Sequence, residues 1–186
     1  MNIEFKHIDI SQLSKETIEK AKKIKFLVLD IDGVCTNGQL YMNSQGETIK
    51  TFHVHDGIGI KTAFMAGIEV GIITGRKDKC VEERMRPLGV TEYYSGFYSK
   101  LEPLQKIADN KNISFAEMAY LGDDIIDLDP LLRVGLPCAV QNAREEVKQI
   151  ASIITKTKGG DGAVRELVEI LLACQEKQPA ALYWIH

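Results

Sequence analysis

Three runs in this sequence, KFLVLDIDGVCT, IEVGIITGR and MAYLGDDIID, each join a short continuous apolar stretch to a group of polar residues. Apolar runs of that length mark strands buried on both faces. In open α/β sheets, ligands gather outside the carboxyl ends of such strands. The residues that follow them are therefore the candidates for chemistry. They are Asp30, Asp32, Gly33 and Thr36 after the first run, and Thr74, Gly75 and Arg76 after the second. Gly122, Asp123, Asp124 and Asp127 follow the third, and Lys100 lies just beyond YYSGFYS. Asp30 and Asp32, two apart on an extended segment, face the same way and can reach one substrate. Carboxylates from several strand ends with no His or Cys among them form an oxygen-rich set that suits magnesium rather than zinc. A hydroxyl and an ammonium beside them suit phosphoryl transfer. The carboxylate attacks phosphorus, while metal, hydroxyl and lysine neutralise charge on the phosphoryl oxygens.

The elements that must position these residues alternate along the chain. Residues 11–23 read as a polar helix, 25–30 as a buried strand, and QLYMN with ETIKTFHV as a β-hairpin turning at SQG. Helical spacing follows in DGIGIKTAFMAG, then the strand IEVGIITG and the charged helix KDKCVEERMRPLG, which stops at glycine. The second half repeats the rhythm: TEYYSG, helix, MAYLGDD, the helix DIIDLDPLLRVG, GLPCAV, REEVKQIA, SIITK, and the closing helix DGAVRELVEILLACQ. A capping box, Ser114 with Glu117, precedes MAYLGDD. Strands alternating with helices predict a Rossmann-like three-layer α/β sandwich with a central parallel sheet. The expected organisation is one domain over residues 1–186, with an inserted hairpin at about 38–54, a tail at about 176–186 and no cap domain.

Composition narrows the function. The 186 residues fit one domain on a prior of about 150 residues each. Hydrophobic residues at 45% and a net charge of -3 describe an ordinary globular chain with no general pull toward nucleic acid. No apolar run is long enough to span a bilayer, and the charged N-terminus does not read as a secretory signal. Cys35, Cys80, Cys138 and Cys174 form no C-x-x-C pair, which fits free thiols in the cytoplasm.

The ordered motifs DIDGVCT, ITGR, Lys100 and GDDIID resemble those of the haloacid dehalogenase superfamily of phosphatases. Over most of residues 25–175, GQLYMNSQGETIKTF, HDGIGIK, ITGRKDKCVEER and GGDGAVRE are similar to its capless branch of 3-deoxy-D-manno-octulosonate 8-phosphate phosphatases. The resemblance implies a magnesium-dependent phosphatase that acts on a phosphorylated sugar acid in lipopolysaccharide precursor synthesis. It implies Asp30 as nucleophile and Asp32 as general acid and then base, with Thr74 and Lys100 on the phosphoryl oxygens. The metal would be held by Asp30, the Asp32 carbonyl and Asp123, supported by Asp124 and Asp127. Substrate contacts would fall on Asp32, His53, Val54, His55, Asp56, Gly57, Lys61, Gly75, Arg76, Arg84 and Lys100. The branch also implies a homotetramer in which the hairpin forms the interface and the tail, with Leu182, Tyr183, Trp184 and Ile185, packs on a neighbour.

Several residues depart from the branch. Asn37 stands where the first motif usually has Asp, and His53-Val54-His55-Asp56-Gly57 where Asn-x-Arg-Asp-Gly is usual. Lys61 replaces an Arg, keeping the charge but losing the two-pronged carboxylate grip. A nonulosonate 9-phosphate therefore stays open as the substrate. Any one of these Asp residues alone would read as a helix cap, and Asp127 equally well as a solvated first-turn carboxylate. His53 and His55, two apart on the expected strand, lack a third zinc ligand. A phospho-receiver gathers similar groups, but with its acidic pair first and its lysine last, the reverse of the order here. A non-catalytic sugar-acid-binding module would have no need of both Asp30 and Asp32.

Overall fold

The computed structural model describes residues 8–177. The tail residues singled out above lie outside them. Eight strands and seven α-helices are present among the described residues: α1 Lys15–Lys22, β1 Phe26–Leu29, β2 Tyr41–Met42, β3 Thr48–Ile49, α2 Val54–Met65, β4 Glu69–Thr74, α3 Lys79–Met85, β5 Glu92–Ser95, α4 Leu101–Lys111, β6 Met118–Gly122, α5 Leu128–Leu131, β7 Leu136–Ala139, α6 Glu145–Ile150, β8 Ile153–Ile154 and α7 Ala163–Cys174.

The apolar runs are buried along their length, as strands covered on both faces must be. β1 is fully covered from Phe26 to Leu29. The six-stranded sheet is parallel throughout, in the order β5-β4-β1-β6-β7-β8. Numbering only its own strands gives 3-2-1-4-5-6, the doubly wound Rossmann order. The order reverses between β1 and β6, which pair Leu29 with Leu121, so Asp30 and Asp123 leave the sheet on either side of that switch point. α7 packs against α1 and α2 on one side, burying Val164, Leu167, Val168, Leu171 and Leu172, while α4 and α5 pack together. Each such aliphatic side chain stabilises the fold by roughly 1.5–3 kcal/mol. β2 and β3 form a separate antiparallel hairpin between β1 and α2.

Two segments differ from the expectation. The hairpin strands are only two residues each, because Lys50 is drawn inward and His53 becomes the N-cap of α2. His53 and His55 therefore lie at a helix start, not on a strand. The expected helix over 124–135 is a 3₁₀ turn, Ile125–Asp127, followed by the single turn α5. The cause is Asp127, whose carboxylate turns into the core to accept from the backbone N–H groups of Asp123 and Asp124. The capping box at Ser114 and Glu117 is present.

Candidate active site

Asp30 follows β1 and is buried. Its Oδ1 lies 2.8 Å from Nζ of Lys100, which in turn lies 2.7 Å from Oδ1 of Asp127. Both Lys100 and Asp127 are fully buried. The Tyr120 hydroxyl donates to the same Asp127 oxygen at 2.7 Å, so Asp127 spends both oxygens on fixed partners. Asp123 completes the group: one oxygen each of Asp30, Asp123 and Asp127 lie within 4.8 Å of one another. Thr74, at the end of β4, is buried on the same rim.

Three carboxylates around one ammonium leave an excess of negative charge. Burial, then the Asp127 charge, push the Asp30 carboxyl up to about 7 against the pull of Lys100. Burial and the charges of Asp30 and Asp127 push Asp123 up to about 8. Burial alone would push Lys100 down, but Asp30 and Asp127 outweigh it and hold the ammonium above its ordinary range. Asp123 Oδ1 is buried without a hydrogen-bond partner. An all-oxygen donor set with an orphaned buried acceptor fits a hard divalent cation.

The turn after β1 brings its backbone against this cluster. Thr36 ties it: its N–H and hydroxyl both donate to the Ile31 carbonyl, and its Oγ1 accepts from the N–H groups of Gly33 and Gly38. Gly33 has φ +97°, and a Cβ there would sit 2.1 Å from Asp123 Oδ2. From the other side, Gly160 N–H donates to the Val34 carbonyl at 2.9 Å, and a Cβ on Gly159 would meet the Gly33 carbonyl oxygen at 1.6 Å. Gly159→Ala must therefore displace the turn after β1. The expected result is a loss of about 1–3 kcal/mol and a fall in turnover of up to ~10²-fold. Urea unfolding and initial rates check it; a variant with unchanged turnover would show that the turn is not braced there.

A model of haloacid dehalogenase-like hydrolases matches residues 91–167. The 3-deoxy-D-manno-octulosonate 8-phosphate phosphatase of Escherichia coli (strain K12) is 43% identical over 165 residues, 89% of this chain and 88% of its own. The chain belongs to the 3-deoxy-D-manno-octulosonate 8-phosphate phosphatase family of haloacid dehalogenase-like hydrolases. Solved structures agree. A haloacid dehalogenase superfamily (subfamily III A) hydrolase from Legionella pneumophila superposes with a TM-score of 0.88 at 42% identity, over 92% of this chain and 95% of that one. The family enzyme from Moraxella catarrhalis, in complex with magnesium ion, phosphate ion and a KDO molecule, superposes with a TM-score of 0.87 at 35% identity, over 92% and 98%.

In this phosphatase the structure gathers Asp30, Thr74, Lys100, Asp123 and Asp127 at the rim. Asp124 is not among them; it is exposed and caps the 3₁₀ turn, its Oδ1 accepting from Ile125 N–H at 2.7 Å. The reading of Asp127 as a solvated first-turn carboxylate is corrected by its complete burial. Asp56 is buried too, and its Oδ1 accepts from Arg165 N–H at 3.0 Å, capping the start of α7. Gly57 lies under the Arg84 guanidinium, where a Cβ would come within 2.4 Å of Nη2. Val54, His55 and Lys61 are exposed and His53 is half-buried, its Nδ1 accepting from His55 N–H. Gly75 is buried, while Arg76 is half-exposed and ion-paired to Asp78 at 3.2 Å.

Three residues of the site escaped the sequence reading. Tyr120 carried a signal, since a buried tyrosine in an aliphatic strand needs a partner for its hydroxyl. Lys50 and Asp78 carried little. Alternation in ETIKTF favours Ile49 inward, yet Ile49 is exposed and Lys50 is buried. Lys50 Nζ lies 2.7 and 2.8 Å from the two oxygens of Asp32 and 2.6 Å from Asp78 Oδ2.

Proposed function

We propose that this phosphatase hydrolyses 3-deoxy-D-manno-octulosonate 8-phosphate to the free sugar acid and phosphate through an aspartyl phosphate on Asp30. The observation that supports the reading is the clustering of Asp30, Lys100 and Asp123 at the sheet's switch, with Thr74 buried at the end of the neighbouring strand, in a chain that matches an octulosonate phosphatase over 89% of its length. An Asp30 oxygen attacks phosphorus and the bond to the sugar oxygen breaks, with Asp32 supplying the proton that oxygen takes up. Water then attacks phosphorus, Asp32 takes its proton, and Asp30 leaves as carboxylate. Lys100 and Thr74 hold the phosphoryl oxygens throughout. Asp30, the Asp32 carbonyl and Asp123 would hold magnesium, which when bound supplies charge neutralisation on the phosphoryl group. Asp127 supports that set, whereas Asp124 faces solvent and caps the 3₁₀ turn. His53, Val54, His55, Gly57, Lys61, Gly75, Arg76 and Arg84 are the proposed substrate-facing positions, with Asp56 holding α7 beneath them. The place in metabolism would be lipopolysaccharide precursor synthesis in the cytoplasm.

The hairpin supports assembly. Leu40, Tyr41, Met42 and Ile49 are exposed on it, a patch that a second copy would cover. We infer a homotetramer built on the hairpins, closing over a site that has no cap of its own. A monomer by light scattering at micromolar concentration would contradict this.

Substrate choice is tested by phosphate release with magnesium from the octulosonate 8-phosphate, a nonulosonate 9-phosphate and a hexose 6-phosphate. Preference for the eight-carbon acid is expected; preference for the nine-carbon acid, which the changes at His53, His55 and Lys61 leave open, would keep the mechanism and move the pathway.

Metal binding has its own signature. Asp30 and Asp123 titrate above the unfolded carboxylate value of 3.8, so the native metal-free protein holds protons that the unfolded chain has released. Its stability therefore falls as pH rises from about 4 to about 8. A cation takes the place of those protons. Magnesium at 100 times its Kd adds about 2.7 kcal/mol at pH 8, and much less at pH 5, where protons compete for the ligands. Thermal melts with magnesium or chelator at both pH values check this; an equal shift at both would contradict it.

A further inference from the structure

The hairpin lysine does something the mechanism above leaves unassigned. Lys50 is a cation on the flank of a hairpin whose apolar residues face outward, and its side chain is 1% exposed. Its ammonium donates to Asp32 Oδ2 at 2.8 Å, lies 2.7 Å from Oδ1 as an ion pair, and also meets Asp78 Oδ2, while Asp32 Oδ1 itself is buried without a hydrogen-bond partner. Asp78, on the loop between β4 and α3, is fixed in turn. Its Oδ1 accepts from the Thr48 hydroxyl at 2.6 Å, and its Oδ2 from Arg76 Nε at 3.2 Å. Thr48 and Lys50 thus reach the 76–78 loop from the same face of the hairpin arm.

If this cluster served only to hold the hairpin down, an apolar contact would do it at less cost, because burying ions carries a desolvation penalty that their pairing often only offsets. Lys50 instead grips the one carboxylate that must meet a proton at the sugar oxygen. A carboxylate hydrogen-bonded through one oxygen, with the same ammonium beside the other, has a restricted torsion and keeps one oxygen open to exchange a proton. We propose that Lys50 is a positioning residue for Asp32, and that Asp78 with Thr48 anchors Lys50, so that the hairpin is part of the proton-transfer apparatus. This rests on the reading of Asp32 as general acid and base.

The leaving group separates positioning from anchoring. A sugar alkoxide must be protonated as it departs; p-nitrophenolate need not be. Lys50→Met, Lys50→Arg and Asp78→Asn would be compared with wild type in single turnover and steady state, on the octulosonate 8-phosphate and on p-nitrophenyl phosphate. Lys50→Met is expected to lower the first chemical step on the sugar phosphate by ~10²-fold or more, the scale of acid–base catalysis. On the aryl phosphate that step should change by less than about 5-fold, since it needs no such proton. KM should stay close to wild type on both, and Lys50→Arg should restore part of the loss. Asp78→Asn keeps the lysine but loosens it, and should show a smaller loss with the same dependence on leaving group. If Lys50→Met does not fold, Asp78→Asn and Lys50→Arg carry the comparison. An unchanged sugar-phosphate rate in folded variants, or an equal loss on both substrates, would overturn the proposal. A wild-type protein inactive on both would overturn the functional reading itself, and the proposal with it.

Discussion

Asp30→Asn is expected to lower phosphate release by at least ~10³-fold, because it removes the carboxylate proposed to take the phosphoryl group. The same substitution should leave the fold at least as stable as wild type. Asp30 stands in a crowd of carboxylates where burial and the Asp127 charge disfavour its ionised form. Removing its charge relieves that crowding while leaving Lys100 paired to Asp127. At pH 8 without metal, the variant should therefore melt no lower than wild type, and the fall in stability between pH 4 and 8 should be shallower. Inactivity with undiminished stability is the mark of a residue kept for chemistry at the expense of the fold. Residual activity within tenfold of wild type would place the nucleophile elsewhere.

Lys100→Met carries the largest expected cost in stability. The ammonium is fully buried between Asp30 and Asp127, and Asp127 is fully buried as well. Removing one partner of a buried ion pair costs about 3–5 kcal/mol, because the remaining charge is left uncompensated. Here two carboxylates are left together. The loss should be greater at pH 8 than at pH 5, where protonation of Asp30 and Asp123 lightens the negative charge around the gap. Urea unfolding at the two pH values measures it. A loss below about 1 kcal/mol, or one independent of pH, would show that the cluster is solvated, contrary to its burial.

Much of this was legible in the sequence because it depends on local pattern. Continuous apolar runs located β1, β4 and β6, and the polar residues after them located Asp30, Thr74 and Asp123 on one rim. Lys100 was found by its place just beyond the run YYSGFYS, but its burial between two carboxylates is a tertiary fact. Asp127 shows the limit clearly: a carboxylate one turn into a helix reads equally well as a solvated group or as a support for the metal set, and only the three-dimensional path of the chain turns it inward to cap Asp123 and Asp124. Asp124 illustrates the reverse, an acidic neighbour that the sequence cannot tell from a ligand and that the turn directs to solvent. Asp56 matched a substrate-facing motif yet caps α7, which arrives more than a hundred residues later in the chain. Lys50 was invisible for the same reason, since its partners Asp32 and Asp78 come from two other segments and reverse the face that hydropathy would bury.

The most direct test of the account is to catch the phosphoryl group on the protein. Wild-type phosphatase mixed with magnesium and the octulosonate 8-phosphate would be quenched in acid within one turnover and reduced with borohydride, which converts an aspartyl phosphate to homoserine. Peptide mass analysis then reads the position. The account predicts homoserine at residue 30 alone, and none in Asp30→Asn. Homoserine at another aspartate, or none while phosphate is being released, would contradict it.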